Sequence, residues 1–252
     1  MRVEQIEMDA FETIVLPIIF IAALTRSTFG FGDAMVGMPL LTMAIGLNTA
    51  TPLVGLMGIT ASATILIKHW RDVHLKSVEL LIIFTVIGIP IGILLLKRVN
   101  EDIMKSILAF VIVTFSLYRI FKPRLFALAN DKLAWFFGLL SGMLGAAYNT
   151  NGPPVVIYGT LRGWDPEKFR ATLQGYFFPT GSMIALGHCI GGLWTRPVLV
   201  NYALSLPVIL VAIFLGGRIN SRIPKAKFDN YIYVFLIILG VFLFVSTIRS
   251  VL

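Results

Sequence analysis

Residues 25–33 read Thr-Arg-Ser-Thr-Phe-Gly-Phe-Gly-Asp, and they interrupt an apolar stretch that runs from residue 13 to residue 46. A second apolar stretch, residues 133–162, is interrupted by Asn149-Thr150-Asn151-Gly152-Pro153-Pro154. A helix needs about 20 residues to cross roughly 30 Å of bilayer hydrocarbon. Each stretch is therefore too long for one crossing, and each of its pieces is at most one crossing long. The sequence predicts two broken helices, with the first break at Arg26-Ser27-Thr28.

The composition places the whole chain in a membrane. Of its 252 residues, 57% are apolar and only 13% are charged, and the mean hydropathy is +0.87. A soluble domain carries about 25% charged residues. These values exclude a soluble enzyme, a disulfide scaffold and a disordered chain. The net charge of +8 does not indicate nucleic acid, because no basic cluster is interleaved with aromatic residues on a polar segment.

Six further stretches are long enough to cross the bilayer as single helices. One of them is interrupted by Gly175, Pro179 and Gly181, and the other five are not. We therefore expect an all-α membrane protein that forms a single transmembrane domain over residues 1–252. The six predicted spans are Ala50–Ile67, Ser77–Leu96, Ile103–Ile120, Phe169–Ile190, Pro197–Leu215 and Tyr231–Ile248.

The two broken stretches occupy corresponding places in two repeats. A shift of 124 places superposes Trp70 on Trp194, Gly92 on Gly216 and Arg98 on Arg222 without a gap, and a shift of 120 superposes Gly32 on Gly152. Repeat one covers about residues 11–121 and repeat two about residues 131–250. Each repeat is predicted to contain one broken helical hairpin and three transmembrane helices.

The basic residues decide between two topologies. If each broken stretch crosses once, the basic residues other than Arg26 divide 10 against 10. If each is a hairpin that enters and returns, they divide 14 against 6, a bias typical of the positive-inside rule. The hairpin topology leaves an odd number of crossings per repeat, so it predicts inverted repeats and two extracytoplasmic termini. The larger group comprises Lys68, Arg71, Lys76, Arg119, Lys122, Arg124, Lys132, Arg162, Lys168, Arg170, Arg218, Arg222, Lys225 and Lys227.

Paired interruptions in inverted repeats are a pointer to a transport site near the bilayer midplane. After each break a half-helix begins, and its free N–H groups and positive dipole end favour an anion. Glycine at the breaks allows a ligand to approach the backbone closely. The predicted oxyanion-binding residues are Arg26, Ser27, Thr28, Gly30, Gly32, Asn149, Thr150, Asn151 and Gly152.

Two charges lie inside apolar sequence beside the first break. A guanidinium suits the geometry of an oxyanion, and an arginine within a membrane segment is a functional hypothesis by default. Asp33 either neutralises Arg26 or binds a coupling proton. Arg26 could instead extend to the interface from a hairpin tip. Gln174 is a candidate for the cavity lining, although hydrogen bonding between helices explains it equally well.

Other kinds of site have no support in the sequence. Glycines in membrane helices also serve close helix packing, which is the alternative explanation for those at the breaks. No nucleotide-binding loop, zinc-ligand spacing or catalytic triad pattern is present in the sequence. We therefore expect no catalytic residue, no metal site and no cofactor.

The residues around both breaks resemble the TauE/SafE sulfite-exporter family. In the first repeat the resemblance lies in the glycine-rich run from Phe29 to Gly37 that ends in Met38-Pro39-Leu40. In the second repeat it lies in residues 138–145, Gly-Leu-Leu-Ser-Gly-Met-Leu-Gly, followed by Asn151-Gly152-Pro153-Pro154. The resemblance implies a secondary transporter of the bacterial or archaeal inner membrane that exports sulfite or small organosulfonates.

The function expected from these features is alternating-access export of a small sulfur-containing oxyanion such as sulfite or sulfoacetate, with Asp33 as the candidate proton site. A passive anion channel and a membrane scaffold or sensor without flux are the alternatives. The expected partners are the oxyanion and the lipid bilayer of the inner membrane, with no nucleic acid. The oligomeric state stays open, and a homo-oligomer is one candidate.

Overall fold

The computed structural model describes residues 11–69, 78–121, 128–164 and 166–220, together with residues 237, 238, 241 and 245. Within these ranges all regular secondary structure is helical, as the apolar composition predicts. A π-helical turn, Phe11–Val15, precedes the first α-helix. The α-helices are α1 (Leu16–Phe29), α2 (Asp33–Ile45), α3 (Leu47–His69), α4 (Glu79–Arg98), α5 (Glu101–Phe121), α6 (Ala134–Tyr148), α7 (Gly152–Leu161), α8 (Pro166–Ile190) and α9 (Arg196–Asn220).

The first break lies later than the sequence placed it. Helix α1 continues through Arg26, Ser27 and Thr28 to Phe29, and the interruption falls at Gly30-Phe31-Gly32. Gly30 and Gly32 have φ angles of 86° and 99°, a left-handed conformation that L side chains rarely adopt. The break therefore falls where glycine permits the reversal. Ser27 and Thr28 belong to the last turn of α1 and do not precede the start of α2.

The second break lies where the sequence placed it. Helix α6 ends at Tyr148, Asn149 is left-handed with a φ of 53°, and α7 begins at Gly152 with Pro153 in its first turn. After α7 the chain has returned to the residues that precede α6. The amide of Leu128 there donates to the carbonyl of Leu161, the last residue of α7, over 2.9 Å. The two ends of this broken stretch thus lie together, as a hairpin requires.

Three helices in the described ranges, α3, α4 and α9, are long and apolar enough to cross a membrane. The predicted spans Ile103–Ile120 and Phe169–Ile190 fall within α5 and α8, which have 21 and 25 residues. Helices α1, α2, α6 and α7 have 10 to 15 residues, so none of them is a full span by itself.

The helices pair across the two halves of the chain. Helix α4 packs against α6, α9 packs against α1, and α3 packs against α8. Glycine allows the closest approaches, because a methyl group on Gly92 of α4 would clash with the carbonyl of Met143, and one on Gly216 of α9 would lie 2.7 Å from the Cβ of Ser27. Close helix packing therefore explains Gly92 and Gly216, which lie outside the two breaks.

The inverted relation between the halves stays a prediction. The reciprocal pairing of the first half-helix of each half with a long helix of the other half is compatible with it. The predicted last span, Tyr231–Ile248, lies outside the described residues apart from the four isolated positions, and so do residues 1–10 at the N-terminus.

Candidate functional site

The centre of the candidate site is a buried ion pair between the two sides of the first break. Both oxygens of Asp33 lie 2.8 Å from Nη1 of Arg26. Arg26 is only 6% exposed and Asp33 only 5% exposed, so each charge needs the other in the absence of water. Asp33 is also the first residue of α2, where a carboxylate is stabilised by the positive end of the helix dipole.

Two other helices complete the surroundings of Arg26. Nη2 donates to the hydroxyl of Ser62 on α3 over 2.5 Å, and the guanidinium carbon lies 5.1 Å from the ring centre of Phe177 on α8. The third nitrogen, Nε, is buried and has no hydrogen-bond partner among the described residues. Arg26 is therefore held in place on two sides while one of its donors stays unsatisfied.

The α3 helix approaches both breaks closely because it carries two glycines there. A methyl group on Gly58 would lie 3.5 Å from Oδ2 of Asp33, and one on Gly55 would lie 3.0 Å from Oδ1 of Asn149. Residues 51, 55, 58 and 62 recur at helical spacing on one face of α3. This face therefore contacts the ion pair of the first break and the amide of the second.

Two small cavities lie beside the ion pair. Measured as the space open to the centre of a water molecule, they have volumes of about 10 and 20 Å³. Each has room for about one water molecule. The residues that line both cavities are Arg26, Asp33, Asn149, Asn151 and Phe177.

The starts of two half-helices meet at the smaller cavity. Its lining includes residues 33–35, the first turn of α2, and residues 152–153, the first turn of α7. The free N–H groups of a helix start and its dipole both favour an anion. Gly32, Thr150 and Gly152, which the sequence predicted as binding residues, also line this cavity.

The residues of the second break serve different purposes. The side-chain amide of Asn149 donates to the carbonyl of Thr51, which attaches the break to α3. The hydroxyl of Thr150 donates to the carbonyl of Tyr148 over 3.1 Å. The side chain of Asn151 lines both cavities and makes no hydrogen bond within the described part of the chain. Asn151 is thus the residue of this break with a side-chain amide still available to a ligand.

Four predicted residues lie elsewhere in the packing. Ser27 donates to the carbonyl of Ile213 on α9 over 2.6 Å, and the carbonyl of Thr28 accepts from Asn220 over 2.5 Å. The carbonyl of Gly30 accepts from Nε2 of Gln174 over 2.5 Å. Ser27, Thr28, Gly30 and Gln174 line neither of the two cavities. The hydrogen bond of Gln174 is of the interhelical kind that the sequence left open.

Sequence reasoning missed Ser62, Gly55, Gly58 and Phe177. The first three carry a signal that could have been found, because polar and small residues recur on one face of an otherwise apolar helix. Phe177 carries no such signal, since it is one of 19 phenylalanines in the chain. Its place over Arg26 depends on how α8 packs against α1.

The described residues contain no group of three or more His, Cys, Asp or Glu side chains that could hold a metal ion. His188, the histidine beside Cys189, is buried, and its Nε2 lies 2.7 Å from the carbonyl of Ala146. The polar groups around the cavities are cationic or neutral donors and one carboxylate. Such a set suits an oxyanion with an accompanying proton better than a metal ion.

Comparison with known proteins connects this geometry to a family. Residues 15–243 match the sequence profile of the family described as "Sulfite exporter TauE/SafE". A "Probable sulfite/organosulfonate exporter TauE" of Cupriavidus necator is 24% identical over 250 residues, which cover 94% of this chain and 97% of that protein. No solved structure shows significant similarity to the chain.

Two further relatives carry broader names. A "Probable membrane transporter protein" of Haemophilus influenzae is 33% identical over 218 residues, covering 82% of this chain and 79% of the relative. The "Probable membrane transporter protein YfcA" of Escherichia coli is 27% identical over 251 residues, covering 90% and 87% of the two chains. The match of the family profile covers most of the chain, and the described helices include apolar spans. The chain belongs to the TauE/SafE sulfite exporter family, and it is a multi-pass membrane transporter, not an enzyme.

Proposed function

We propose that this protein is a secondary transporter that exports a small sulfur-containing oxyanion, such as sulfite or sulfoacetate, by alternating access. The observation that carries the proposal is the meeting of two half-helix starts and a buried arginine at one cavity. The printed name of the Cupriavidus necator relative, a sulfite/organosulfonate exporter, supports this substrate class. Sulfite and sulfonate groups present oxygens that match N–H donors converging on one point.

Two donors beside the cavities lack partners, and they form the proposed anion site. Nε of Arg26 is a buried donor with no hydrogen bond among the described residues. Asn151 lines both cavities, and none of the hydrogen bonds described above involves its side-chain amide. Leaving a buried donor unsatisfied costs about 1–3 kcal/mol, and more for a charged group. An oxyanion that accepts from Nε of Arg26 would remove this cost, and the amide of Asn151 would supply a second donor. Gly32 and Gly152 lie beside these donors and allow the anion to approach the backbone.

Charge balance favours proton coupling through Asp33. The pair of Arg26 and Asp33 is neutral, so a bound anion would leave one uncompensated negative charge in a buried site. Buried unpaired charges are strongly unfavourable. Protonation of Asp33 restores neutrality when the anion takes over part of the contact with Arg26. We therefore propose that the anion and one proton bind together.

The small size of the cavities favours an alternating mechanism. Volumes of about 10 and 20 Å³ hold about one water molecule each, which is less than an oxyanion of four or more heavy atoms requires. The site must therefore enlarge to load its substrate. The breaks are suited to this movement, because neither Gly30 nor Gly32 carries a side chain that restricts its backbone.

The proposed location is the inner membrane, with both termini extracytoplasmic. The proposal rests on the 14-to-6 division of basic residues in the hairpin topology. A reporter protein fused after Leu252 should give an extracytoplasmic signal. A cytoplasmic signal would contradict the topology without affecting the proposed site.

The test of function is flux into liposomes that contain the purified protein. Uptake of radiolabelled sulfoacetate should saturate with concentration and should increase when a pH gradient is imposed. Sulfite should compete with it. Flux that neither saturates nor responds to the gradient would indicate a passive channel. Absence of flux for both anions would contradict the proposed substrate class and leave a scaffold or sensor as the explanation.

A further inference from the structure

One turn of α8 contacts both breaks and the arginine between them. Gln174 donates to the carbonyl of Gly30 in the first break over 2.5 Å. Tyr176 is hydrogen-bonded to a group that holds the second break, and the ring of Phe177 lies over Arg26. Gln174 and Tyr176 are fully buried. Residues 174–177 thus connect the two halves of the site from a single helix.

The hydroxyl of Tyr176 is hydrogen-bonded to the hydroxyls of Ser141 and Thr85. Ser141 on α6 donates to the carbonyl of Asn151 over 2.7 Å, and its oxygen also lies 2.7 Å from that of Tyr176. Thr85 on α4 donates to the carbonyl of Gly138 over 3.1 Å, and its oxygen lies 2.6 Å from that of Tyr176. Through Ser141, Tyr176 is connected to the backbone of Asn151, a residue that lines both cavities.

The contact of α8 with the first break is a single hydrogen bond, from Gln174 to Gly30. The carbonyl of Gly30 lies at the end of α1, where the last carbonyls of a helix have no partner within the helix. Gln174 supplies a donor to that carbonyl, three residues before Asp33. Its Oε1 is buried without a partner, so the side chain is held by the single bond to the break.

We propose that Gln174 and Tyr176 are positioning residues through which α8 holds the two breaks at a set separation from each other. Neither residue needs to touch the substrate for this role. Each fixes the backbone of one break, and the helix between them transmits a displacement of one break to the other. The two half-helix starts at the smaller cavity then move together when the site opens or closes.

Hydrogen exchange at the breaks tests the positioning without any substrate. The purified full chain would carry Gln174→Leu or Tyr176→Phe, and each variant keeps an apolar side chain in place. Gln174→Leu removes the hydrogen bond to the first break. Tyr176→Phe removes the hydrogen bond with Ser141, which leads to the second break, together with the one to Thr85. We expect each variant to speed deuterium uptake about tenfold in peptides covering both residues 29–36 and residues 149–152, as expected for loss of about one hydrogen bond. Faster uptake at only the nearer break would overturn the proposal.

The matched control is Tyr202→Phe. The hydroxyl of Tyr202 on α9 lies 2.6 Å from that of Thr60 on α3, a bond as short as that between Tyr176 and Thr85. Tyr202 contributes to neither cavity. Exchange at the breaks should be unchanged in this variant. An equal increase in all three variants would indicate general loosening and would also overturn the proposal.

The second measurement rests on the proposed function. Thermal stabilisation of the protein by sulfite or sulfoacetate reports the anion dissociation constant, because a ligand of the folded state raises its stability. In Tyr176→Phe this constant should rise about tenfold, while the maximal transport rate should stay within about twofold of wild type. An unchanged constant would contradict the role. If the wild-type protein binds neither anion, the proposed function fails, and the exchange data still decide the positioning.

Discussion

The two breaks have similar backbone arrangements and different chemistry. The first is built from left-handed Gly30 and Gly32 and carries the buried charges Arg26 and Asp33 on its two sides. The second is built from left-handed Asn149 and carries only neutral side chains through Asn151. Each break ends one half-helix and begins another, and both beginnings line the smaller cavity.

This difference indicates a division of labour. A half-helix start attracts an anion weakly, by about 0.3–1 kcal/mol where it is exposed and more where it is buried. Only the first break adds a full positive charge and a carboxylate that can carry a proton. We therefore expect changes at the first break to affect whether transport occurs and how it is coupled. Changes at the second break should affect how tightly the anion binds.

The largest effect is expected from Arg26→Ala. Removing the guanidinium should lower anion flux by more than about 100-fold, since it takes away the charge that compensates the anion. The variant also leaves Asp33 buried and unpaired, which destabilises the fold by about 3–5 kcal/mol. Flux in liposomes and thermal unfolding measure the two effects.

A double variant separates these effects. Arg26→Ala with Asp33→Asn removes both charges, so folding should recover while flux stays absent. Wild-type flux in either variant would show that the anion does not depend on Arg26. It would also contradict the functional difference that we expect between the two breaks.

The second largest effect on transport is expected from Asp33→Asn alone. The amide keeps the size of the carboxylate but cannot take up a proton, so accumulation driven by a pH gradient should be lost. Exchange of labelled anion without a gradient should continue, because Arg26 remains. A full response to the gradient in this variant would exclude Asp33 as the coupling group.

A smaller effect is expected from Asn151→Ala in the second break. The loss of one neutral donor to the anion should raise the anion dissociation constant about tenfold. The response to a pH gradient should not change, since no charge is altered. Asn201→Ala on α9 serves as the control, because Asn201 lines neither cavity. A loss of proton coupling in Asn151→Ala would contradict the division of labour.

The smallest effects are expected from methyl groups on α3. In Gly55→Ala the new carbon would lie 3.0 Å from Oδ1 of Asn149, and such overpacking costs about 1 kcal/mol, or about fivefold in anion affinity. In Gly58→Ala it would lie 3.5 Å from Oδ2 of Asp33, an ordinary contact, so affinity should change less than about twofold. Anion binding measured by thermal stabilisation distinguishes the two variants. A larger loss of affinity in Gly58→Ala than in Gly55→Ala would mean that α3 is held against the first break, not the second.

Much of the fold could be predicted from hydropathy. The described helices contain or closely match the predicted spans within residues 50–67, 77–96, 103–120, 169–190 and 197–215, because membrane insertion requires long apolar runs. The second break was placed correctly because Asn-Gly-Pro-Pro cannot continue a helix from the preceding turn. The first break was misplaced by about four residues. The sequence predicts the interruption at Arg26-Ser27-Thr28, but the side chains of Arg26 and Ser27 have hydrogen-bond partners inside the protein and the helix continues through all three residues.

The candidate site could be predicted only in part. Some of the residues predicted from the sequence do line the cavities. They lie at the helix starts and at the ion pair, where backbone rules or an isolated charge provide a local signal. Ser27 was named but faces α9, because a hydroxyl on an apolar helix does not reveal which neighbour it meets. Ser62 and Phe177 were not named, since their roles depend on helices far away in the chain.

The sequence by itself determined that the protein spans a membrane, that two helices are broken, and that one break is charged and the other neutral. These properties follow from the cost of polar groups in hydrocarbon and from the backbone freedom of glycine and proline. Only the tertiary structure decided that Arg26 meets Asp33, Ser62 and Phe177, and that α8 contacts both breaks. In apolar helices nearly every face is hydrophobic, so the face that meets a neighbour is selected by close packing and by buried hydrogen bonds between distant residues.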